Sequence, residues 1–339
     1  MRTTDDNRPT TDHRRPTITL IGPGNLARVL GLALHGASYT IDEIVSRDAT
    51  DSRKRARSLA RQVRARAATY ADARLASDII WLCVSDDAIA PTASALARRA
   101  DWKGKIALHS SGARSSRELE PLSRRGAAIG SLHPMQSFVR AAHATLAGVS
   151  FAVEGDPAAV RAGRRIARDL GGWVFTIRPE AKVLYHAIGS FCSPMIISTL
   201  ATAERIARAA GIPPAAAKRI MHPILGQTIA NYLAKGPAAA FSGPINRADI
   251  NTIQKHLEAL REVPGARDIY LALARSALRT LPVRDGKAVR RFLQWAKSHP
   301  ARSDTRNWMA SEKKGIFRQL RCPRGPKQRF PVCRADSER

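Results

Sequence analysis

Cysteine is scarce and unpaired in this chain: Cys83, Cys192, Cys322 and Cys333 are the four present in 339 residues. They form no C-x-x-C pair and no set with zinc-ligand spacing, and two of them fall inside apolar runs. Buried free thiols in a reducing compartment are therefore expected, not a disulfide framework. The opening residues, Met1-Arg-Thr-Thr-Asp-Asp-Asn-Arg-Pro, carry no apolar signal core. The most apolar stretch, Ile188 to Ala203, is interrupted by Gly189, Ser190, Ser193, Pro194 and Ser198. It is shorter than the roughly 20 residues a membrane span needs. These absences lead to the expectation of a cytoplasmic protein without a membrane partner. No internal repeat is visible.

Acidic residues are also few, 28 against 56 Lys and Arg, which leaves a formal charge of +28. Such a surplus ordinarily directs attention to nucleic acid, anionic membranes or phosphorylated ligands. The charge is uneven, with fifteen basic and four acidic residues between Lys287 and Arg339. Arginine outnumbers lysine throughout, which a GC-rich genome produces as readily as anion recognition does. Charge is a weak guide to function here.

What is present is more informative. Thr17-Ile-Thr-Leu-Ile-Gly-Pro-Gly-Asn-Leu-Ala27 runs from a β-branched strand pattern through Gly-x-Gly-x-x-Ala into an amphipathic segment. In a dinucleotide-binding turn Gly22 permits the tight bend, Gly24 lets backbone N–H groups approach a pyrophosphate, and Ala27 lets the helix pack closely. Pro23, Asn25 and Leu26 complete this candidate cofactor site, with the phosphates on the positive end of the helix. A plain strand-to-helix turn is the alternative; the apolar runs on either side favour the nucleotide.

Strand and helix patterns alternate from there to about residue 178. Strands are expected at 41–47, 78–84, 105–109, 126–133, 149–153 and 172–177, and helices at 52–68, 87–99 and 157–170. This is the pattern of a doubly wound α/β Rossmann sheet. From Glu180 to about Leu281 the chain is Ala- and Leu-rich at helical spacing, broken at Gly211-Ile-Pro-Pro214, Gly236-Pro237, Gly243-Pro244 and Pro264-Gly265. About four helices and an all-α second domain follow. The expected division is a disordered leader at 1–16, a nucleotide-binding domain at 17–178, a helical domain for substrate and dimerisation at 179–285, and a disordered basic tail at 286–339 that opens on one amphipathic stretch, Lys287 to Lys297.

Cofactor choice rests on the end of the second strand, Val45-Ser46-Arg47. NAD-binding folds place a carboxylate there for the ribose, whereas a 2′-phosphate needs donors and cations. Ser46 and Arg47 therefore favour NADP over NAD. Val84, Ser85 and Asp86 follow another strand and would line the nicotinamide side, with Asp86 or Asp87 alternatively capping the next helix. In His109-Ser-Ser-Gly-Ala113, Ser110 and Ser111 offer donors for a substrate carboxylate or carbonyl, or else cap a turn. His133, before a rigid proline, is placed to take a proton from an alcohol as hydride leaves. His186 is the second acid/base candidate, on a helix face shared with Ser190 and Ser193. Asn246 and Arg247 suit an anionic substrate, and Asp249 reads as a helix N-cap. No metal site is expected.

Taken in order, Gly22–Ala27, Val84–Ile89, His109–Ala113, Gly130–Phe138, Phe151–Asp156, Tyr185-His-Ala and Gly236–Pro244 resemble the bacterial Rossmann-like oxidoreductases whose C-terminal half is domain of unknown function 2520. The resemblance covers roughly residues 17 to 280. It implies kinship with the phosphogluconate dehydrogenase and pyrroline-carboxylate reductase group, hence NADP, a small carbonyl, imine or alcohol substrate, and a helical domain that forms a homodimer. His133-Pro-Met135 is similar to the segment of prephenate dehydrogenases whose histidine acts on the substrate hydroxyl. The chain departs from the pattern of the family it resembles at Ser85, where proline is common, and at Pro194, where the helix often carries asparagine. A proline there is expected to kink the helix. The alternative function is an NADP-binding sensor without turnover, and the aromatic residues Trp308, Phe317 and Phe330 among tail cations leave a nucleic-acid surface as a third reading.

Overall fold

The computed structural model describes residues 14–139 and 145–298. These fall into two compact units, divided between Ile196 and Ile197. Cys322, Cys333, the three tail aromatics and most of the expected leader and tail lie outside the described residues.

In chain order the first unit contains β1 (Ile18–Ile21), α1 (Asn25–Gly36), β2 (Ile41–Ser46), α2 (Thr50–Gln62), β3 (Arg66–Thr69), β4 (Ile79–Leu82) and α3 (Ile89–Leu96). It continues with β5 (Ile106–His109), α4 (Glu120–Ser123), β6 (Ala128–Pro134), β7 (Ser150–Gly155), α5 (Pro157–Asp169), β8 (Trp173–Thr176) and α6 (Lys182–Cys192). One eight-stranded sheet has the order β3-β2-β1-β4-β5-β6-β7-β8. Neighbours are parallel except β6 and β7, which pair antiparallel with His133 opposite Ala152. The order reverses at β1, whose neighbours are β2 and β4. In such sheets ligands bind outside the carboxyl ends of the strands at that switch point.

Alternation along the strands builds a core on each face. Ile18, Leu20, Trp81, Leu108 and Leu132 meet Leu30 and Leu34 of α1, Leu59 of α2 and Ile166 of α5. Ile21, Val45, Ile80, Leu82 and Ala107 meet Ile89, Ala93 and Leu96 of α3 together with Trp102 and Leu122. Each fully buried side chain of this kind contributes about 1.5–3 kcal/mol of transfer free energy.

Several expectations need correcting. The helix expected over 52–68 stops at Gln62, and Arg66–Thr69 forms edge strand β3 against β2. Arg64 makes the turn with φ +55. Arg15, expected in a disordered leader, bonds Asp169 at 3.0 Å and stacks over the Tyr39 ring at 4.9 Å. Of the two described cysteines, Cys83 is buried but Cys192 is exposed.

The second unit is helical. It takes in α7 (Pro194–Ala209) from Ile197 onward, then α8 (Pro214–Ala240), α9 (Pro244–Arg247), α10 (Ile250–Ala259), α11 (Ala266–Thr280) and α12 (Gly286–Ser298). Gly236 interrupts α8 at φ +75. Asp249 caps α10 as expected, accepting from Thr252 N at 3.0 Å. Residues 286–298, expected in the disordered tail, are helix α12 instead. Its Val289, Phe292 and Leu293 close the core formed by Ile253, Leu257 and Leu271, and that apolar face is what outweighs the local charge. Pro194 does not kink one long helix; it begins α7 after Ser193 leaves the helical region at φ −131, ψ −83. Among the described residues, the stretch Pro179–Ala209 contains an 18-residue window of mean hydropathy 1.4, long and apolar enough by composition to cross a membrane. It is longer than the run legible in the sequence.

Candidate active site

The carboxyl ends of β1, β4, β5 and β6 lie on one edge of the sheet, because these four strands are mutually parallel. Three strand spacings separate β1 from β6, roughly 14 Å. Along this edge stand Gly22–Gly24, Val84–Asp86, Ser110–Gly112 and His133, the loops that the sequence singles out.

At β1 the turn is tight. Gly22 has φ +95 and donates its N–H to Val45 O at 2.8 Å, and a Cβ there would lie 2.8 Å from Cys83 O. Gly24 is the N-cap of α1 and supplies no side chain; no acid occupies the first turn. A Cβ on Gly24 would meet only Cys83 O, at 3.9 Å. The first N–H groups of α1 are therefore left to an outside acceptor, and the positive helix end faces no carboxylate of its own. Asn25 Nδ2 donates to Phe138 O at 3.1 Å, Leu26 is half-buried against the core, and Ala27 is fully buried. Pro23 lies between the two glycines as the sequence requires.

At the end of β2, Arg47 is exposed, as a phosphate-reading cation must be. Ser46 is not available for that role. Its side chain is fully buried and its hydroxyl points to Ala68 O at 3.5 Å, because alternation along β2 turns position 46 into the sheet. Arg53 and Arg57 of α2 line a small cavity of about 150 Å³ beside Ser46 and Thr69, with Arg53 also paired to Asp48. After β4, Val84 and Asp86 are half-buried and Ser85 is exposed. Neither Asp86 nor Asp87 caps α3 through its side chain; Asp87 pairs with Arg114 at 3.0 Å.

The loop after β5 is held by internal hydrogen bonds. Ser110 Oγ accepts from Trp81 Nε1 at 2.8 Å, and Ser111 Oγ accepts from Ala113 N and Arg114 N at 3.2 and 2.9 Å. The capped-turn alternative thus describes Ser111. His109 is fully buried: its Nδ1 accepts from Ser111 N at 3.1 Å, which leaves Nε2 to donate to Ser115 O at 3.0 Å. Burial, then the nearby Lys182 charge, pull it down to about 4, so it is neutral.

His133 and α6 form the centre of the cluster. The Tyr185 hydroxyl lies 3.0 Å from His133 Nδ1, and the His186 ring centroid is 5.8 Å from that of His133. Gly112 is the floor: a Cβ there would stand 2.8 Å from His133 Nε2 and 2.5 Å from His186 Cδ2. Desolvation, followed by the charges of Lys182, His186 and His109, lowers His133 to about 3. Burial raises Tyr185 to about 12. The pair is therefore a neutral imidazole and a neutral phenol. Either group can donate across this contact; when the phenol donates to Nδ1, the ring proton sits on Nε2. His186 is exposed, Ser190 and Ser193 are half-buried, and Ser193 forms the break between α6 and α7.

Beneath His133 is a buried ionic network that composition does not suggest. Lys182 Nζ donates to Ser131 Oγ at 2.6 Å and to Ser111 O at 2.9 Å, and lies 3.7 Å from Glu154 Oε1. Glu154 accepts from Ser116 N and Ser116 Oγ at 2.7 and 2.8 Å. Burial lowers Lys182 to about 8 against the opposing pull of Glu154. Asn246 and Arg247 belong to the second unit, where with Arg284 they line a cavity of about 340 Å³. Asn246 Nδ2 donates there to Pro282 O at 2.9 Å. Among the described residues no cluster of His, Cys, Asp and Glu could hold a metal.

Residues 1–134 match the family model of a Rossmann-like domain, and residues 149–277 match that of a domain of unknown function, DUF2520. A solved structure from Bacteroides fragilis, provisionally named an NADP oxidoreductase, is 25% identical at TM-score 0.64, with 77% of this chain covering 97% of that one. A Thermotoga maritima protein is 22% identical at TM-score 0.61, over 76% of this chain and 95% of that one. An imine reductase from Myxococcus stipitatus in complex with NADP+ is 20% identical at TM-score 0.58, over 78% and 94%. The last two similarities establish the fold. No curated protein sequence matches the chain.

Proposed function

This chain belongs to the family in which a Rossmann-like domain precedes DUF2520, and from that premise we propose an NADP-dependent oxidoreductase acting on a small carbonyl, imine or alcohol. The observation that carries the reading is the acid-free, side-chain-free N-terminus of α1 behind Gly22, on the same sheet edge as the His133–Tyr185 pair. The residues present fit the cofactor. Gly22 to Ala27 would hold the pyrophosphate, Arg47 with Arg53 the 2′-phosphate, and Val84 to Asp86 the nicotinamide side. When bound, NADPH supplies the hydride.

The protein's own part is the proton. In the reducing direction His133 Nε2–H faces the oxygen or nitrogen on which negative charge grows and donates to it. The Tyr185 proton then moves to Nδ1, so the imidazole remains neutral while the negative charge passes to the phenolate, which takes a proton back from solvent when the site reopens. A neutral ring suits this exchange, because both ring positions change hands without an imidazolium forming beside Lys182. The backbone at Gly112 leaves room for the two imidazoles. Asn246 and Arg247 remain proposed contacts for an anionic group.

We further propose a homodimer built on the apolar helices α6 to α8. Support comes from the exposure of Leu184, Phe191, Ile224 and Leu233. The function is tested by titrating NADPH and NADH into the full chain by nicotinamide fluorescence, followed by an absorbance screen of imines, ketones and alcohols. NADPH oxidation with a member of the panel is the expected result. Failure to bind either cofactor would overturn the reading, and binding without turnover on any class would favour the sensor.

A further inference from the structure

The Lys182 ammonium is fully buried, yet it lies in the first turn-forming position of α6, where a helix ordinarily shows lysine to water. Its acceptors come from three other places in the chain: Ser111 after β5, Ser131 on β6 and Glu154 on β7. Glu154 is saturated in turn by Ser116. Desolvating such a pair is expensive, and a hydrocarbon side chain of similar volume is commonly as good or better for stability. What the ammonium adds is placement.

The spacing makes that placement specific. Tyr185 and His186 lie three and four residues after Lys182, on the same face of α6. His133 lies two residues after Ser131, on the same face of β6. Lys182–Ser131 and Tyr185–His133 are thus successive rungs between one helix and one strand, with rises of about 4.5 and 6.6 Å. The ammonium also holds Ser111 O, adjacent to the Gly112 backbone on which both imidazoles rest.

We propose that Lys182, paired with Glu154, is a positioning residue that sets the register of α6 on β6 and thereby holds the Tyr185 hydroxyl on His133 Nδ1. The inference rests on the reading of His133 as the proton-handling group, but its test does not require turnover. The charged and titratable groups facing His133 are Lys182, Tyr185 and His186 of α6 and His109 of β5; the ammonium's own acceptors shield it from direct contact with substrate.

The test is nitrogen NMR of the histidine rings in the cofactor-free full chain, with the His133 signals assigned through His133→Asn. The wild-type ring is expected as a single tautomer protonated at Nε2. Lys182→Met should convert it to a mixture of both tautomers while the amide fingerprint of the sheet is retained. Tyr185→Phe should give the same mixture, and adding Lys182→Met to it should change nothing further, since the two act through one bond. An unchanged single tautomer in Lys182→Met would overturn the inference, as would a full additional shift in the double variant. If Lys182→Met does not fold, Ser131→Ala decides in its place: it removes one acceptor, so partial loss of the single tautomer supports the inference and no change overturns it. A fixed tautomer in a protein that transfers no hydride would refute the proposed function and leave the positioning intact.

Discussion

The Tyr185 hydroxyl stands 3.0 Å from His133 Nδ1, joining the first helix after the sheet to the end of β6. This contact decides which ring nitrogen is free. With Nδ1 taken by the phenol, Nε2 is the ring nitrogen left over, and it lies against the Gly112 backbone.

Removing the ring should separate chemistry from binding. His133→Asn is expected to leave NADPH affinity unchanged while lowering turnover by roughly 10²–10⁴-fold, the usual contribution of a positioned proton carrier. Tyr185→Phe should cost less, because the ring keeps Nε2. Steady-state rates measured beside cofactor titrations check both. Full activity in His133→Asn would move the assignment to His186, which shares the floor.

The buried histidines also set an acid dependence of stability. His109 and His133 titrate at about 4 and about 3, against about 6.5 in an unfolded chain. Between these limits the unfolded state binds protons that the folded state refuses, so stability rises with pH and is lost on acidification. Below about pH 6.5 the slope approaches about 1.4 kcal/mol per pH unit for each histidine. Urea unfolding from about pH 7 to about pH 5.5 should show it, with the slope roughly halved in His133→Asn. A flat profile in the wild type would contradict the neutral state of both rings.

Gly22 and Gly24 should fail differently. At Gly22, a side chain faces Cys83 O at 2.8 Å on a backbone at φ +95, so Gly22→Ala should lower the melting temperature, with about 1–3 kcal/mol from the backbone alone. Gly24 has room, the nearest atom to a Cβ being 3.9 Å away. Gly24→Val should therefore melt like the wild type and yet lose NADPH and NADH alike, since the side chain enters the pyrophosphate approach. Retained cofactor affinity in that variant would displace the cofactor from α1.

Arg47 and Ser46 are neighbours in sequence but not in exposure. Arg47→Ala should reduce the preference for NADPH over NADH by roughly tenfold to a hundredfold, the range for about 1.5–3 kcal/mol in a charged hydrogen bond. Ser46→Ala should leave the preference unchanged, because its hydroxyl is turned into the sheet toward Ala68 O. Competitive titration of both cofactors distinguishes the two variants; a loss of preference in Ser46→Ala would show that the strand end rearranges.

The Rossmann half was legible because its signals are local. Glycine punctuation after β1, the continuous apolar run of β4 and the alternation of short strands with helices each declare themselves within a few residues. Strand β3 was hidden because the turn before it falls on Arg64 at φ +55, without the glycine that ordinarily marks such a turn. Ser46 reads as a donor because it ends a strand, but it still belongs to β2, and alternation along that strand turns its hydroxyl toward Ala68 O. Lys182 and Glu154 were invisible for a different reason. A lysine opening a helix in an arginine-rich chain reads as surface, and its burial is set by acceptors 51 and 71 residues earlier. The sequence held one hint, a glutamate between Val153 and Gly155 in an otherwise apolar strand. The amphipathic spacing from Lys287 to Lys297 is legible as a pattern, and Val289, Phe292, Leu293 and Ala296 are its buried face; what the local sequence does not show is the core that this face closes.

The apolar helices provide the last prediction. Leu184, Phe191 and Leu233 are 78%, 72% and 76% exposed, and Ala217 is the sole buried residue along the 27 residues of α8. A helix of that length gains little from propensity alone and is ordinarily held by packing of a face. Apolar surface on this scale on a single chain marks an interaction site, and a second copy of the chain brings a face of the same composition. The full-length protein should therefore sediment as a dimer at micromolar concentration, and Leu184→Lys combined with Leu233→Lys should shift it toward monomer while the sheet unit keeps its cofactor affinity. A wild-type monomer at that concentration would exclude the dimer. Flotation of such a monomer with phosphatidylcholine vesicles would then assign the Pro179–Ala209 stretch to a lipid surface, because a bilayer would cover the same side chains without requiring a second chain.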